Sequence, residues 1–364
     1  MVKIKKIIFT GGGSAGHVTV NIAMIPEFIR AGWLTEYIGS VDGIEKQLIT
    51  SNFNVKYHSI STGKLRRYLD WQNVKDPFKV VKGIMQAYQL IKKQKPNIVF
   101  SKGGFVSVPV VIGAWLNKIP VIIHESDLTP GLANKLASPF ASLICTTFSE
   151  TSSYFNNHKC YCVGPVLRDE LTKGDAERGR AFVGFSNIKK PIILIMGGSL
   201  GSRKINHVIR ESLTQLTKKF RVIHLCGKGH LDSSIANSDY REYEYINEEL
   251  PDILTMCDFV ISRAGSNSIF EFLSLKKPMI LIPLTKEQSR GDQLLNAASF
   301  ESKGYCKVLH EEQLNPDSLI ASIYELAEEK ERYIRNMSSF ERNDAVSLIY
   351  NLIVENAKNG LNDE

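Results

Sequence analysis

This chain of 364 residues has no apolar run of membrane-spanning length, no metal-ligand cluster and no CxxC pair. Its longest apolar stretch, Phe105 to Ile123, is interrupted by Pro109, Asn117, Lys118 and Pro120. A bilayer-crossing helix needs about 20 predominantly apolar residues, so this stretch reads as a buried helix followed by a strand. The six cysteines (145, 160, 162, 226, 257, 306) lie in or beside apolar segments, and Cys160 and Cys162 alternate on one apparent strand. That usage fits reduced thiols in a cytosolic protein rather than a disulfide framework. The chain enters a strand at once, without a signal-peptide layout. No Asp-x-Asp occurs, and no His/Cys/Asp set has metal spacing, so a divalent ion bridging a diphosphate has no evident ligands. No low-complexity block argues for disorder.

What is present is a basic, globular composition: 43% hydrophobic, 23% charged, net charge +7. The excess is uneven. Lys64 to Lys95 holds nine Lys/Arg against Asp70 and Asp76, whereas Glu301 to the end holds thirteen acidic residues against seven basic ones. A length of 364 residues exceeds one ordinary core, so two domains are the default.

Strand-like and helix-like segments alternate through the first 165 residues. Strands are expected at Ile4–Thr10, Glu36–Gly39, Val55–Ile60, Ile98–Ser101, Val121–His124, Leu143–Thr146 and Tyr161–Val163. The longest helical pattern runs from about Val74 to Lys93. Continuous Ile/Val runs, rather than strict alternation, mark strands covered on both faces, hence a parallel sheet between helices. After a polar stretch from Arg168 to Lys190 the pattern restarts. Strands follow at Ile192–Met196, Val222–Cys226, Tyr243–Ile246, Phe259–Ser262, Met279–Ile282 and Cys306–Leu309, with helices from Arg203, Glu249, Ser266, Asp292 and Pro316. The expected fold is therefore α/β, with two Rossmann-like doubly wound domains, residues 1–165 and 166–339, separated by a cleft. A last helix, within about 340–364, is placed to pack back on the first domain.

Two glycine-rich turns each follow an apolar strand and open a helix. They are Gly11-Gly12-Gly13-Ser14-Ala15-Gly16-His17 and Gly197-Gly198-Ser199-Leu200-Gly201-Ser202. Such turns let backbone N–H groups converge on an anion, and a helix N-terminus adds roughly half a positive charge. The first alone matches a dinucleotide fingerprint, but the acidic residue that reading wants after the second strand is represented only by Asp42. His17, at the loop–helix junction, reads either as a proton acceptor for a hydroxyl or as a packing residue of the turn. Ser199 reads as a phosphate contact or as a plain helix cap. In Ser262-Arg263-Ala264-Gly265-Ser266-Asn267-Ser268-Ile269-Phe270-Glu271, the glutamate falls one helical turn in. There it can accept both hydroxyls of a ribose, or simply complement the helix dipole. Lys102-Gly103-Gly104-Phe105 forms another anion-ready turn, and His124-Glu125-Ser126-Asp127 lies at a strand's carboxyl end.

In the basic stretch Phe78, Val81, Met85 and Tyr88 share a helix face, interleaved with Lys75, Lys79 and Lys82. One reading is a core-facing stripe with a solvated basic back. The other is a helix resting on an anionic membrane surface, with Trp115 beside it. Nucleic acid is disfavoured because no recognition motif accompanies the charge.

Taken together these motifs resemble the MurG-type peptidoglycan glycosyltransferases. The resemblance covers nearly the whole chain, through the glycine turn ending in His17, Lys102–Phe105, His124-Glu125 with Gly131 and Asn134, Gly197–Ser199, and Arg263-Ala264-Gly265 with Glu271. It implies the GT-B fold and inverting transfer of N-acetylglucosamine from UDP-N-acetylglucosamine to the 4-hydroxyl of undecaprenyl-diphospho-N-acetylmuramoyl-pentapeptide. No cofactor is implied. Enzymes of this kind work at the cytoplasmic face of the cell membrane as peripheral proteins. By the same resemblance Arg168 and Ser199 meet the donor diphosphate, the backbone near Ile246 the uracil, Glu271 the ribose and Gln293 the N-acetylglucosamine. The loops carrying Gly11, Gly12, Gly13, Gly16, Gly103, Gly104, His124, Asp127 and Asn134 face the acceptor and its diphosphate, with His17 as base. Asp127 departs from the asparagine common there. Another GT-B glycolipid transferase, such as a diacylglycerol glycosyltransferase, shares most of these features, and a nicotinamide-dependent oxidoreductase shares the first turn alone.

Overall fold

The computed structural model describes residues 4–63, 72–155, 159–185, 190–198 and 201–357, with the side chains of 72–77 left out. Ser199, Leu200 and the basic residues Lys64, Arg66 and Arg67 therefore lie outside the described residues, as does the side chain of Lys75. The chain divides into two compact units, Met1–Val166 with Asn343–Glu364, and Leu167–Arg342.

In the first unit the strands are β1 (Lys6–Thr10), β2 (Leu34–Ser40), β3 (Lys56–Ile60), β4 (Ile98–Ser101), β5 (Val121–Glu125), β6 (Leu143–Thr146) and β7 (Cys160–Cys162). Among the described residues they form one parallel sheet in the order β3-β2-β1-β4-β5-β6-β7. The helices are α1 (Thr19–Arg30), α2 (Ile44–Asn52), α3 (Gln72–Gln94), α4 (Ser107–Leu116) and α5 (Leu132–Ala137). Strand order reverses between β1 and β4. That switch point opens a crevice beyond the strands' carboxyl ends, and both glycine turns of this unit sit there. Covered on both faces, β4 and β6 are buried along their whole length, which is why their sequences run apolar without alternation.

The second unit repeats the plan. Its strands are β8 (Ile192–Met196), β9 (Arg221–Leu225), β10 (Tyr240–Tyr243), β11 (Phe259–Ser262), β12 (Met279–Leu281) and β13 (Cys306–Val308). They lie parallel in the order β10-β9-β8-β11-β12-β13, again with the switch beside the central strand. Its helices are α6 (Ala176–Val183), α7 (Arg203–Lys219), α8 (Leu250–Met256), α9 (Ser266–Ser274), α10 (Asp292–Ser302), α11 (Pro316–Glu328) and α12 (Lys330–Met337).

Two differences from the sequence expectation have plain causes. The polar stretch after Arg168 contains α6, started by the Asp175 carboxylate accepting from the N–H groups of Glu177 and Arg178, and stopped by Gly184 at φ 69°. Those are ordinary cap signals, but too few apolar residues lie between them to show a stripe. The third strand of this unit is Tyr240–Tyr243 rather than Tyr243–Ile246. It is an edge strand reading Tyr-Arg-Glu-Tyr, so its half-solvated face hides it from a search for apolar runs. Ile246 consequently sits in the loop after it.

The last helix, α13 (Ala345–Asn356), belongs to the first unit. Ile349 and Ile353 are fully buried in the cluster of Phe9, Phe28 and Phe100, and the Tyr350 ring lies 4.8 Å from that of Phe28. Truncating a fully buried isoleucine costs about 2–5 kcal/mol. Ile349→Ala should destabilise the first unit by that measure, read from its urea transition, with hydrogen exchange accelerating in β1 and not in β8. Equal acceleration in both strands would show that α13 supports the second unit as well.

Candidate functional site

Beyond Thr10 the chain of the first unit turns sharply. Gly11 takes φ 155° and Gly13 φ 87°, a 3₁₀ turn covers Ala15–His17, and α1 begins at Thr19. The turn is tied down on every side. Asn21, buried in α1, donates to the Thr10 carbonyl (3.0 Å), and the Tyr37 hydroxyl donates to the Gly11 carbonyl (2.8 Å). Burial pushes the Tyr37 phenol well above its ordinary pKa, so it stays a donor. The Gly13 N–H donates to Glu45 Oε2 (3.1 Å). Glu45 Oε1 accepts from the Ser40 N–H (3.0 Å) and from the Ser40 hydroxyl. An internal carboxylate thus holds an amide that a phosphate-binding turn would offer its ligand.

The Lys102–Phe105 turn lies directly against this one. Lys102 N–H donates to the Thr10 carbonyl (2.9 Å) and Gly12 N–H to the Gly103 carbonyl (3.3 Å). Gly104, at φ 82°, passes so close that a Cβ there would collide with the Gly12 carbonyl oxygen and come within 3.2 Å of the His17 ring. Half-buried His17 therefore stands where the two turns meet.

Behind them is a buried polar knot. Glu125 accepts from the N–H groups of Asp127 (3.1 Å) and Gly131 (2.9 Å) and from the Asn134 amide (3.0 Å), and Asn134 also donates to the His124 carbonyl (3.0 Å). His124 and Asn134 are buried; Asn134 braces the loop through these bonds, whereas both ring nitrogens of His124 are buried without a hydrogen-bond partner among the described residues. Burial lowers the Lys102 pKa, against the pull of Glu125 and Asp127. Burial, and then the Lys102 charge, drives His124 far below its ordinary value, so its ring is neutral.

In the second unit, the turn after β8 carries Gly197 and Gly198 (φ 90°). Gly201 (φ 73°) passes so close to the Cys226 carbonyl that no Cβ fits. Ser202 caps α7, its hydroxyl accepting from the Ile205 N–H. Buried Arg263 reaches the back of this turn: Nη2 donates to Ser202 Oγ (2.7 Å) and Nη1 to Glu311 Oε2 (2.6 Å). Sequence reasoning missed Glu311, as it missed the His224 network. His224 Nδ1 meets the Tyr240 hydroxyl (2.8 Å) and Nε2 meets Asn206 Oδ1 (3.0 Å), which fastens α7 to β9 and β10. No local pattern announces either set.

Arg168 and Glu271 meet in a two-pronged ion pair, Nε to Oε1 at 2.8 Å and Nη2 to Oε2 at 3.0 Å. Burial opposes the Arg168 charge, but the Glu271 bonds outweigh it and raise its pKa. Ile246 is buried beside β10, and Gln293, at the start of α10, accepts from the Leu284 N–H (3.1 Å). The structure thus joins two of the expected donor residues to each other and leaves Gln293 at the mouth of a neighbouring loop. Among the described residues no three His, Cys, Asp or Glu side chains are grouped to hold a metal ion.

Away from these turns, α3 buries Ala87 and Ile91 and leaves Phe78 (75%), Val81 (60%) and Met85 (58%) exposed. Trp115 of α4, 51% exposed, leans on Phe140 with rings 5.1 Å apart. The apolar stripe is therefore not a core-facing one, which corrects the first of the two readings it allowed. Lys79 and Lys82 are exposed on the same helix. Among the described residues no helix is long and apolar enough to cross a membrane.

Comparison with known proteins agrees along nearly the whole chain. Residues 7–146 match the glycosyltransferase family 28 N-terminal domain and residues 192–352 the family 28 C-terminal domain. A relative from Geobacillus kaustophilus is 57% identical over 97% of this chain and 99% of its own. It is named UDP-N-acetylglucosamine--N-acetylmuramyl-(pentapeptide) pyrophosphoryl-undecaprenol N-acetylglucosamine transferase. A similarly named protein from Bacillus cereus is 56% identical over 97% of this chain and 100% of its own. Among solved structures, MurG of Acinetobacter baumannii matches at TM-score 0.77 and 23% identity, covering 96% of this chain and 99% of that one. The calicheamicin glycosyltransferase CalG4 matches at TM-score 0.70 and 12% identity over 99% and 100%.

The contact between the two turns of the first unit has a direct test. A methyl group at Gly104 demands movement of the Gly12 carbonyl and strains a left-handed backbone, costing about 1 kcal/mol or more. Gly104→Ala should accelerate amide exchange at Gly12, read by mass spectrometry of the 11–17 peptide. Unchanged protection would mean that the turns slide apart without cost.

Proposed function

We infer that this chain, which belongs to glycosyltransferase family 28, transfers N-acetylglucosamine from its UDP carrier to an undecaprenyl-diphospho-N-acetylmuramoyl-pentapeptide. The observation that carries this is the reach of the kinship: 57% identity spans both units, so the donor and acceptor parts are shared together. A diacylglycerol glycosyltransferase is not what these relatives are. The dinucleotide alternative fails on kinship, and its phosphate-binding amide at Gly13 is already held by Glu45.

The second unit supplies the donor side. Glu271 takes the two ribose hydroxyls, which replace the Arg168 guanidinium on its carboxylate. The released guanidinium turns to the diphosphate. The N-terminus of α7, the turn around Ser199 and Arg168 carry the negative charge that grows on UDP as the glycosidic bond breaks. The loop at Ile246 presents backbone groups to the uracil, and Gln293 meets the sugar. The first unit supplies the base. His17 removes the proton from the acceptor 4-hydroxyl as its oxygen attacks the anomeric carbon from the face opposite UDP, so the product is β-linked. The acceptor's diphosphate lies at the turns carrying Gly11, Gly12, Gly16, Gly103 and Gly104.

We also propose that the protein sits peripherally at the cytoplasmic face of the membrane that holds the lipid acceptor, a reading supported by the exposed apolar stripe and its lysines. Anionic headgroups attract Lys79 and Lys82 while Phe78, Val81, Met85 and Trp115 enter the interface.

General-base assistance is worth about 10²–10⁴ in rate. His17→Ala should therefore lose turnover by that factor on labelled UDP-N-acetylglucosamine and a soluble muramoyl-pentapeptide lipid analogue, with donor affinity retained. Near-normal turnover would remove His17 from the role. If the wild-type protein glycosylated diacylglycerol and ignored that analogue, the acceptor assignment would be wrong. For the membrane reading, each lysine near an anionic surface contributes about 1 kcal/mol. Lys79→Glu with Lys82→Glu should weaken binding to phosphatidylglycerol vesicles at least tenfold, and salt should do the same. Binding indifferent to both would refute the electrostatic part.

A further inference from the structure

We propose that Glu45 is a positioning residue for the transfer reaction: its buried carboxylate, bridging the Gly13 and Ser40 amides, sets the shape of the turn that carries His17. The proposal rests on the reading of His17 as the base. The geometry is specific. One carboxylate oxygen takes the Gly13 N–H (3.1 Å); the other takes the Ser40 N–H (3.0 Å) and hydroxyl. Glu45 is fully buried, and Gly12 lies so close that a Cβ there would overlap its carboxyl group. Its neighbours reinforce the arrangement. The Tyr57 hydroxyl donates to the Ser40 carbonyl (2.8 Å), and the Tyr37 hydroxyl to the Gly11 carbonyl (2.8 Å). A carboxylate that accepts three hydrogen bonds at once fixes the relative position of the β1 and β2 ends.

The consequence for function is twofold. Gly13 sits four residues before His17, and the Gly104 turn limits the ring on its other side. Release of Gly13 therefore lets the base drift, and a misplacement of about 1 Å costs about 10²-fold in rate. In addition, the Gly13 amide is satisfied from within, so the acceptor's diphosphate is bound without it. The carboxylate shapes the turn instead of competing with the ligand.

Glu45→Gln keeps size but replaces one acceptor oxygen with an NH₂ donor, so one of the two amides loses its partner. Glu45→Ala removes both. With labelled UDP-N-acetylglucosamine and the soluble lipid analogue, kcat should fall about tenfold in the glutamine variant and about a hundredfold in the alanine variant. UDP-N-acetylglucosamine affinity and acceptor KM should stay at wild-type values, while Glu45→Gln, with one buried amide unpaired, should remain folded with a melting temperature lowered by only a few degrees. Amide exchange in the 11–17 peptide should accelerate in both variants. Wild-type kcat in Glu45→Gln would overturn the proposal. So would a lowered acceptor KM with kcat retained, which would make Glu45 a competitor of the phosphate, and so would parallel loss of donor binding and thermal stability. If the wild-type protein makes no product at all, the transfer reading fails on its own. The exchange measurement still decides whether Glu45 clamps the turn: an unprotected Gly13 amide in the wild type would refute it.

Discussion

In each unit one backbone turn at the carboxyl edge of the sheet passes another at a distance that leaves no room for a Cβ, and the arrangement of both units follows from that crowding. In the first unit Gly104 lies on Gly12; in the second Gly201 lies on the Cys226 carbonyl. A parallel sheet makes the crowding unavoidable, because all its carboxyl ends emerge at one edge and its turns must share the space there. Glycine is the residue that tolerates both the closeness and the left-handed backbone. Packing the turns this tightly also decides which acceptors their backbone N–H groups need and find: Gly12 uses the Gly103 carbonyl and Gly13 the Glu45 carboxylate.

The two units answer that need differently. In the first, the partner is built in: Glu45 accepts from Gly13 and Ser40. In the second, the internal partner stands behind the turn rather than on it. Arg263 joins the capping Ser202 to Glu311. Buried ions are costly unless paired; Glu45 accepts from the Gly13 and Ser40 amides and the Ser40 hydroxyl, and Arg263 and Glu311 pair with each other, with the Arg263 Nε left without a partner among the described residues. Arg168 and Glu271, more exposed, satisfy each other across a fork that a nucleotide's hydroxyls and phosphates can take over. On the proposed roles, a rigid turn beside His17 and an exchangeable Arg168–Glu271 pair would suit a transferase that holds its base fixed while admitting and releasing a diphosphate sugar.

Much of the fold was legible in the sequence. Ile98–Ser101, Leu143–Thr146, Ile192–Met196 and Phe259–Ser262 were expected as strands over those same residues, because strands buried on both faces write themselves as unbroken apolar runs. The edge strand Tyr240–Tyr243 and the helix Ala176–Val183 were not, since half-solvated elements carry mixed residues. The turn at Gly11–His17 was legible as a turn, and its imitation of a dinucleotide fingerprint was legible too. Glu45 was not, although Gly13 depends on it.

The sequence by itself determined the two doubly wound sheets, the glycine turns at their switch points and, through its motifs, the family. Those features are local: apolar period, glycine spacing and helix caps are all written within a few neighbouring residues. Only the tertiary structure decided which groups satisfy one another. Gly13 and Glu45 are 32 residues apart, and Arg168 and Glu271 are 103 apart. It also decided that the Phe78–Met85 stripe faces outward, because a helix's apolar face does not reveal what covers it. Pairing of buried polar groups is set by how the chain crosses itself in space, and no short-range pattern encodes the crossing.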